Sequence, residues 1–197
     1  LTTNQLRGLG TDQMQALTDL QLAGLSTAQL SQMATDDLRA LTTNQLQSLT
    51  TTRLAALSNT QLGNLTSDQL QALTTLQVRS LTTAQVAALA TDDLGTFTSD
   101  QIRALSSLQI QALGSDQVRS LDSADLGALT SGQIAALQTI DLGAFDSTDL
   151  RVLSSLQVPG LTTAQVAALG TDDLPGLGTA ALVSLSSLQL AALTNAQ

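Results

Sequence analysis

The chain reads as an all-α repeat solenoid, a superhelix of very short helices with one helix in each eight-residue unit. Three observations predict this. The 197 residues run as twenty-four complete octads and one partial one without an insertion or deletion. Large apolar residues occupy positions 1 and 6 of every complete octad. A helix-capping residue type occupies position 3 of every octad, usually with another at position 2. A fixed internal period decides architecture ahead of any other feature, and units that cannot bury a core alone must stack on their neighbours. Residues 1–197 are therefore expected to form one continuous array. No unit at either end carries a distinct polar cap, so the array is expected to be a section of a longer one.

Each octad follows the order Leu, Thr/Ser, Thr/Ser, any residue, Gln/Asp, Leu/Val/Ile, any residue, small residue, as in 1–8, 41–48 and 161–168. Position 1 is Leu except at Met33, Phe97 and Phe145. The apolar spacing alternates between five and three. A half-buried strand fails, because positions 1 and 6 would face opposite sides. One long helix also fails, since eight residues at 100° advance the apolar stripe by about 80° per unit. A helix restarted in each octad succeeds, with position 6 and the next position 1 as i, i+3 neighbours on one face.

The start signal has two readings. Position 3 is Thr, Ser, Asp or Asn throughout, all good N-caps. With position 2 as the cap, the residue at position 5 (Gln in 17 octads, Asp in 6) completes a capping box, and the apolar residues at positions 1 and 6 form a hydrophobic staple. Where position 2 is Ala34, Ala90 or Gln138, position 3 is expected to take the role. The Gln at position 5 also has two readings, as cap partner or as a ladder between stacked turns or between molecules.

Charge follows the same polarity. Thirteen of 16 Asp lie at positions 4 or 5, and six of seven Arg lie at position 7: Arg7, Arg39, Arg79, Arg103, Arg119 and Arg151. Acids near a helix start and bases near its end complement the helix dipole. Arg53, at position 5, stands apart. Pro159 and Pro175 at position 7 are compatible only with helices of little more than one turn.

Such helices are far below the roughly 12–15 residues needed for even marginal independent stability, so stacking through positions 1 and 6 must hold them. A longer period overlies the octad: residues 73–96 and 153–176 match at 17 of 24 positions. Apolar residues at position 4 (Leu20, Leu76, Leu108, Ile140, Leu156, Leu188) often recur at 32 residues. One reading is about four octads per superhelical turn with position 4 filling an inner seam; the other is duplication without structural phase.

Composition narrows function. Cys, His, Lys and Glu are absent, which removes disulfides and the commonest catalytic and metal-binding groups. No enzyme, cofactor or metal site is expected, and no catalytic, cofactor-binding or metal residue is assigned. The pairs Asp36/Asp37, Asp92/Asp93 and Asp172/Asp173 offer the carboxylate oxygens that Ca²⁺ favours, but dipole complementation accounts for them better. Rows of Thr and Ser would suit a flat ice- or carbohydrate-binding face only if their hydroxyls were not spent as caps. A net charge of −9 opposes nucleic-acid binding. No apolar stretch approaches a membrane span.

The segments Leu81–Leu89 and Leu161–Leu169, both LTTAQVAAL, resemble repeats in very large secreted or surface-attached bacterial proteins described as adhesin-like. That resemblance implies an extracellular or cell-surface setting and supplies no site. The same nonapeptide looks like the opening of a TAL-effector repeat helix. Those units, however, are much longer and carry a base-reading loop, which the eight-residue acidic unit lacks. The expected function is structural: an elongated fibre, stalk or filament subunit that self-associates. The alternative is a solenoid that binds a protein or glycan partner along one face.

Overall fold

The computed structural model describes residues 2–143, 145–194 and 197. Among them, twenty-two α-helices and two 3-10 helices follow one another, one per octad, with no strand. The chain divides into two compact units, Leu1–Ala104 and Leu105–Gln197, each built on the same plan.

Each α-helix holds only four to six residues. Thr66 shows why one starts where it does. Its backbone is extended (φ −72°, ψ 157°), and its hydroxyl accepts the Gln69 N–H. The helix then runs Ser67–Ala72 and ends at Leu73, whose φ of −56° and ψ of 134° leave the helical region. The Leu73 N–H still reaches the Leu70 carbonyl at 3.2 Å, so the last turn tightens to an i→i+3 bond. Two consecutive extended residues, at positions 1 and 2, thus turn the chain between helices. No described residue has a positive φ, glycine included, so the corners need no special backbone conformation.

Position 2 is the N-cap, which settles the choice that composition left open. The expectation that position 3 takes over at Ala34, Ala90 and Gln138 is corrected: these residues remain the N-caps without a side-chain bond, and Thr35, Thr91 and Thr139 are the first helical residues. Asp122 and Asp146 cap more strongly than the hydroxyls, each accepting two backbone N–H groups, as Asp146 does from Thr148 (2.7 Å) and Asp149 (3.0 Å). Those two bonds favour the anion and lower the Asp146 pKa.

Within each unit, a helix packs on the helix three octads away, as 43–48 does on 67–72 and 107–111 on 131–136. One superhelical turn therefore takes between three and four octads. Positions 6 and 1 fill its interior: Leu46, Leu54, Leu70, Ile134 and Leu150 are wholly buried, and Leu49, Leu73 and Leu153 nearly so. At about 1.5–3 kcal/mol for each fully buried Leu, these two side chains dominate the stabilisation of an octad. The inner-seam reading of position 4 is corrected. Leu20, Leu76, Leu108, Ile140, Leu156 and Leu188 are 67–83% exposed. Position 4 lies two residues before position 6, about 200° around the helix, and so points outward.

The proline units keep the plan with a tighter helix. Pro159 has no N–H and its ring opposes an α-turn, so Val158–Gly160 closes as a 3-10 helix, as does Leu174–Gly176 around Pro175. Both tighter turns sit close against earlier backbone. A Cβ on Gly160 would overlap the Ser131 carbonyl, and one on Gly176 the Ser147 carbonyl. By contrast, a Cβ on Gly8 would meet Asn4 O at an ordinary 3.5 Å.

Two measurements check this arrangement. In urea denaturation, Leu70→Ala is expected to cost about 2–5 kcal/mol, while Leu76→Ala stays within about 0.5 kcal/mol of the parent; equal losses would return position 4 to the core. Gly160→Ala is expected to cost about 1–3 kcal/mol through overpacking, and Gly8→Ala to be neutral or to gain up to about 1 kcal/mol.

Candidate functional site

The repeated chemistry of this chain sits at position 5, where one side chain serves two turns at once. As the third residue of the helix, Gln69 places Oε1 to accept the N-cap N–H of Thr66 at 2.9 Å, while its own N–H donates to the Thr66 hydroxyl at 3.2 Å. The other end of the amide points to the preceding superhelical turn. Its Nε2 donates to Leu38 O at 2.9 Å and Leu41 O at 2.7 Å, which are 31 and 28 residues earlier. The sequence offers cap partner and ladder rung as separate readings of this residue, and both hold in the same side chain.

The rung recurs with little change. In the first unit Gln45, Gln77, Gln85 and Gln101 make the same pair of bonds to positions 31 and 28 residues earlier. In the second unit Gln157, Gln165 and Gln189 do so. Gln157 keeps its rung although its helix has become 3-10. These amides are buried, with side chains 4% exposed or less, and no described buried side-chain polar atom lacks a partner. Each rung supplies a donor to the position-1 carbonyl where a helix ends, as at Leu41, and a second bond to the position-6 carbonyl, which already accepts the N–H three residues on, as Leu38 does from Leu41. The unmet alternative would cost about 1–3 kcal/mol per group.

Arg53 shows that the donor at this position need not be an amide. Standing at position 5, it directs Nε to Leu25 O at 2.8 Å, 28 residues earlier, and Nη2 to Ala23 O. Its charge therefore serves the ladder and not its own helix end. At Asp141 the donor is moved instead. Asp141 cannot donate as a carboxylate; it accepts the Ser115 hydroxyl at 2.6 Å, and Gln138 at position 2 donates to Gln111 O (3.3 Å) and Leu113 O (3.4 Å). A coupling of positions 2 and 5 is present in the sequence, although only Gln138 among the partners of Asp can donate from its side chain. All six Asp at position 5 follow a position 2 that is neither Thr nor Ser, whereas 15 of 17 Gln follow Thr or Ser.

Position 7 adds a second, exposed layer of contacts in the opposite direction. Arg7 donates to Gln32 O (3.1 Å) and Gln32 Oε1 (2.7 Å), and Gln47 donates to Ala72 O (2.6 Å), each 25 residues ahead. Arg7 thus serves the end of a helix three octads away, as well as its own.

The Asp pairs do not assemble into a cation site. Asp36, Asp92 and Asp172 are exposed at position 4, whereas Asp37, Asp93 and Asp173 are half-buried at position 5, so each pair points in two directions. Among the described residues no three acidic side chains gather as a metal would need. The hydroxyls at position 2 are engaged as caps; those at position 3 belong to the first helical residues and lie half-buried or exposed. No described helix is long and apolar enough to cross a membrane.

The ladder makes a direct prediction. Gln69→Glu sets a carboxylate oxygen against the Leu38 and Leu41 carbonyls and is expected to cost about 3 kcal/mol at pH 7, near the upper end for an unmet buried group. Gln69→Arg keeps a donor, as Arg53 does, and is expected to cost clearly less. Chemical denaturation of the two variants decides it, and equal losses would mean that size and not hydrogen bonding governs the position.

No curated protein matches the chain. The model of the ALTTAQ repeat family matches residues 1–27, 30–67, 86–123, 134–171 and 166–197. These segments take in well over half of the 197 residues, and the hydroxyl–Gln pair that builds each rung runs through all of them. This chain belongs to the ALTTAQ repeat family.

Proposed function

We propose that the chain is a structural, non-enzymatic repeat protein, a segment of an elongated fibre or stalk that self-associates in an extracellular or cell-surface setting. The observation that carries this reading is the ladder. In many octads the side chain at position 5 is spent on the neighbouring turn, through bonds such as Gln69 to Leu38 O and Leu41 O. A chain that commits its hydrogen-bonding capacity to stacking is suited to extension by repetition, since each added octad brings its own rung and its own two core side chains. The extracellular setting rests on the likeness of LTTAQVAAL to repeats of large surface proteins.

Self-association has its physical source in position 4. Leu108, Ile140, Leu156 and Leu188 in the second unit expose 67–83% of their surface, and apolar groups left in water favour lateral contact. The net charge of −9 opposes contact between copies, and that repulsion is screened within about 10 Å at 0.1 M salt. The alternative, binding of a protein or glycan along one face, draws on the same exposed aliphatic groups.

Sedimentation velocity tests the reading. The weight-average mass is expected to rise with protein concentration, and further as salt increases from 0.05 to about 0.5 M. The variant carrying Leu108→Ser, Ile140→Ser, Leu156→Ser and Leu188→Ser is expected to lose that rise while remaining folded. Monomers at every concentration and salt level, with compact particles by electron microscopy, would reject it.

A further inference from the structure

We infer that residues 170–184 of the second unit form a strap, which lifts from the turn beneath it while the rungs of Gln165 and Gln189 hold it at both ends. The grounds are a break in the ladder that spans two neighbouring octads. Octads 169–176 and 177–184 carry Gly170 and Gly178 at position 2, and Asp173 and Ala181 at position 5. Glycine and alanine have no side-chain donor, and a carboxylate only accepts. Elsewhere each octad without a donor at either position stands between octads that have one, as Ala34/Asp37 does between Gln29 and Gln45. Rungs from the strap would meet Leu142 O and Phe145 O, then Leu150 O and Leu153 O, at the same offsets that Gln165 spans. No side chain at position 2 or 5 of the strap can donate to any of the four.

The flanks are pinned. Before the strap, Gln165 Nε2 donates to Ile134 O at 3.0 Å and Leu137 O at 2.7 Å. After it, Gln189 Nε2 donates to Val158 O at 3.0 Å and Leu161 O at 2.7 Å. Between them, the Asp173 carboxyl turns back on the start of its own octad, where a Cβ on Gly170 would overlap its Oδ2.

Packing does not make up the difference. Val158–Gly160 and Leu174–Gly176 are the same 3-10 element, and Gly160 and Gly176 lie equally close on the backbone of Ser131 and Ser147. The first keeps the Gln157 rung, at 2.8 Å to Leu126 O and to Leu129 O, and the second has none. Local bonds are also matched. The Leu174 N–H reaches Gly170 O at 3.2 Å and the Leu182 N–H reaches Gly178 O at 2.9 Å; in the pinned octads Val166 reaches Thr162 O and Leu190 reaches Ser186 O, both at 2.9 Å. What distinguishes the strap is its missing tie to the turn beneath. Segments with the least tertiary support open at the lowest free energy, and helices this short do not persist once they leave their neighbours. Lifting therefore frees the strap's amides together and uncovers helix 147–151, on which 174–176 packs.

Amide hydrogen exchange of the full chain at neutral pH, followed by NMR, tests this. After correction for intrinsic rates, Leu174, Leu177 and Leu182 are expected to exchange about tenfold or more faster than Val166 and Leu190. Leu190 comes later in the sequence than the strap, so fraying from the end of the chain gives the opposite order. The variant Asp173→Gln/Ala181→Gln supplies both missing rungs. Glycine at position 2 accepts such a Gln, as Gly114 donates to Gln117 Oε1 at 2.9 Å, and Gln157 shows a rung ahead of a proline. The variant is expected to slow the three strap amides about tenfold and to leave Leu190 unchanged. Strap amides no faster than Leu190 in the parent, or no slower in the variant, would overturn the inference.

Discussion

Everything in this fold depends on an amide held between two turns. A helix of five residues leaves most of its end groups without intrahelical partners, and a chain that restarts one in every octad multiplies the problem. The Gln at position 5 answers both ends together. Oε1 takes the N–H that opens its own helix, and Nε2 gives to the carbonyls that close a helix in the turn below, as Gln165 does with Thr162, Ile134 and Leu137. Apolar packing at positions 1 and 6 supplies the driving force, but it is indifferent to small slips. The paired bonds at 28 and 31 residues fix the rise and phase of each turn.

The same constraint explains what the array tolerates. A proline at position 7 is accommodated because Gln157 still reaches Leu126 and Leu129 at 2.8 Å. An arginine at position 5 is accommodated because it donates. A carboxylate there changes the local balance, and at Asp141 the donor comes from Gln138 at position 2 instead. Variation in this chain is therefore ordered: positions 4 and 7 vary over the surface, while positions 2 and 5 vary as a pair.

That ordering also bears on function. Among the described residues, no octad departs from the ladder to gather reactive groups, and the features left facing water are short aliphatic side chains, aspartates and a few arginines. The proposed structural role draws on this stacking and on that surface.

Much of this was legible in the octad itself. The 5–3 apolar spacing is compatible with only one regular structure, so the restarted helix and its two core positions followed from Leu65, Leu70 and Leu73 alone. The dipole-ordered charges and the prolines limited helix length. The choice of cap was not legible, since Thr66 and Ser67 are both good N-caps and only the reach of Gln69 to the turn below favours the first. Nor was the outward direction of Leu76, because its 32-residue recurrence looks like a seam until the helix phase is known. The bonds from Gln69 to Leu38 and Leu41 lie beyond any local pattern. Local periodicity determined what each octad becomes, because helix geometry relates residues three or four apart. Which octads meet, and through which atoms, was decided by tertiary structure, because the superhelical turn brings together groups about 30 residues apart that no short-range rule connects.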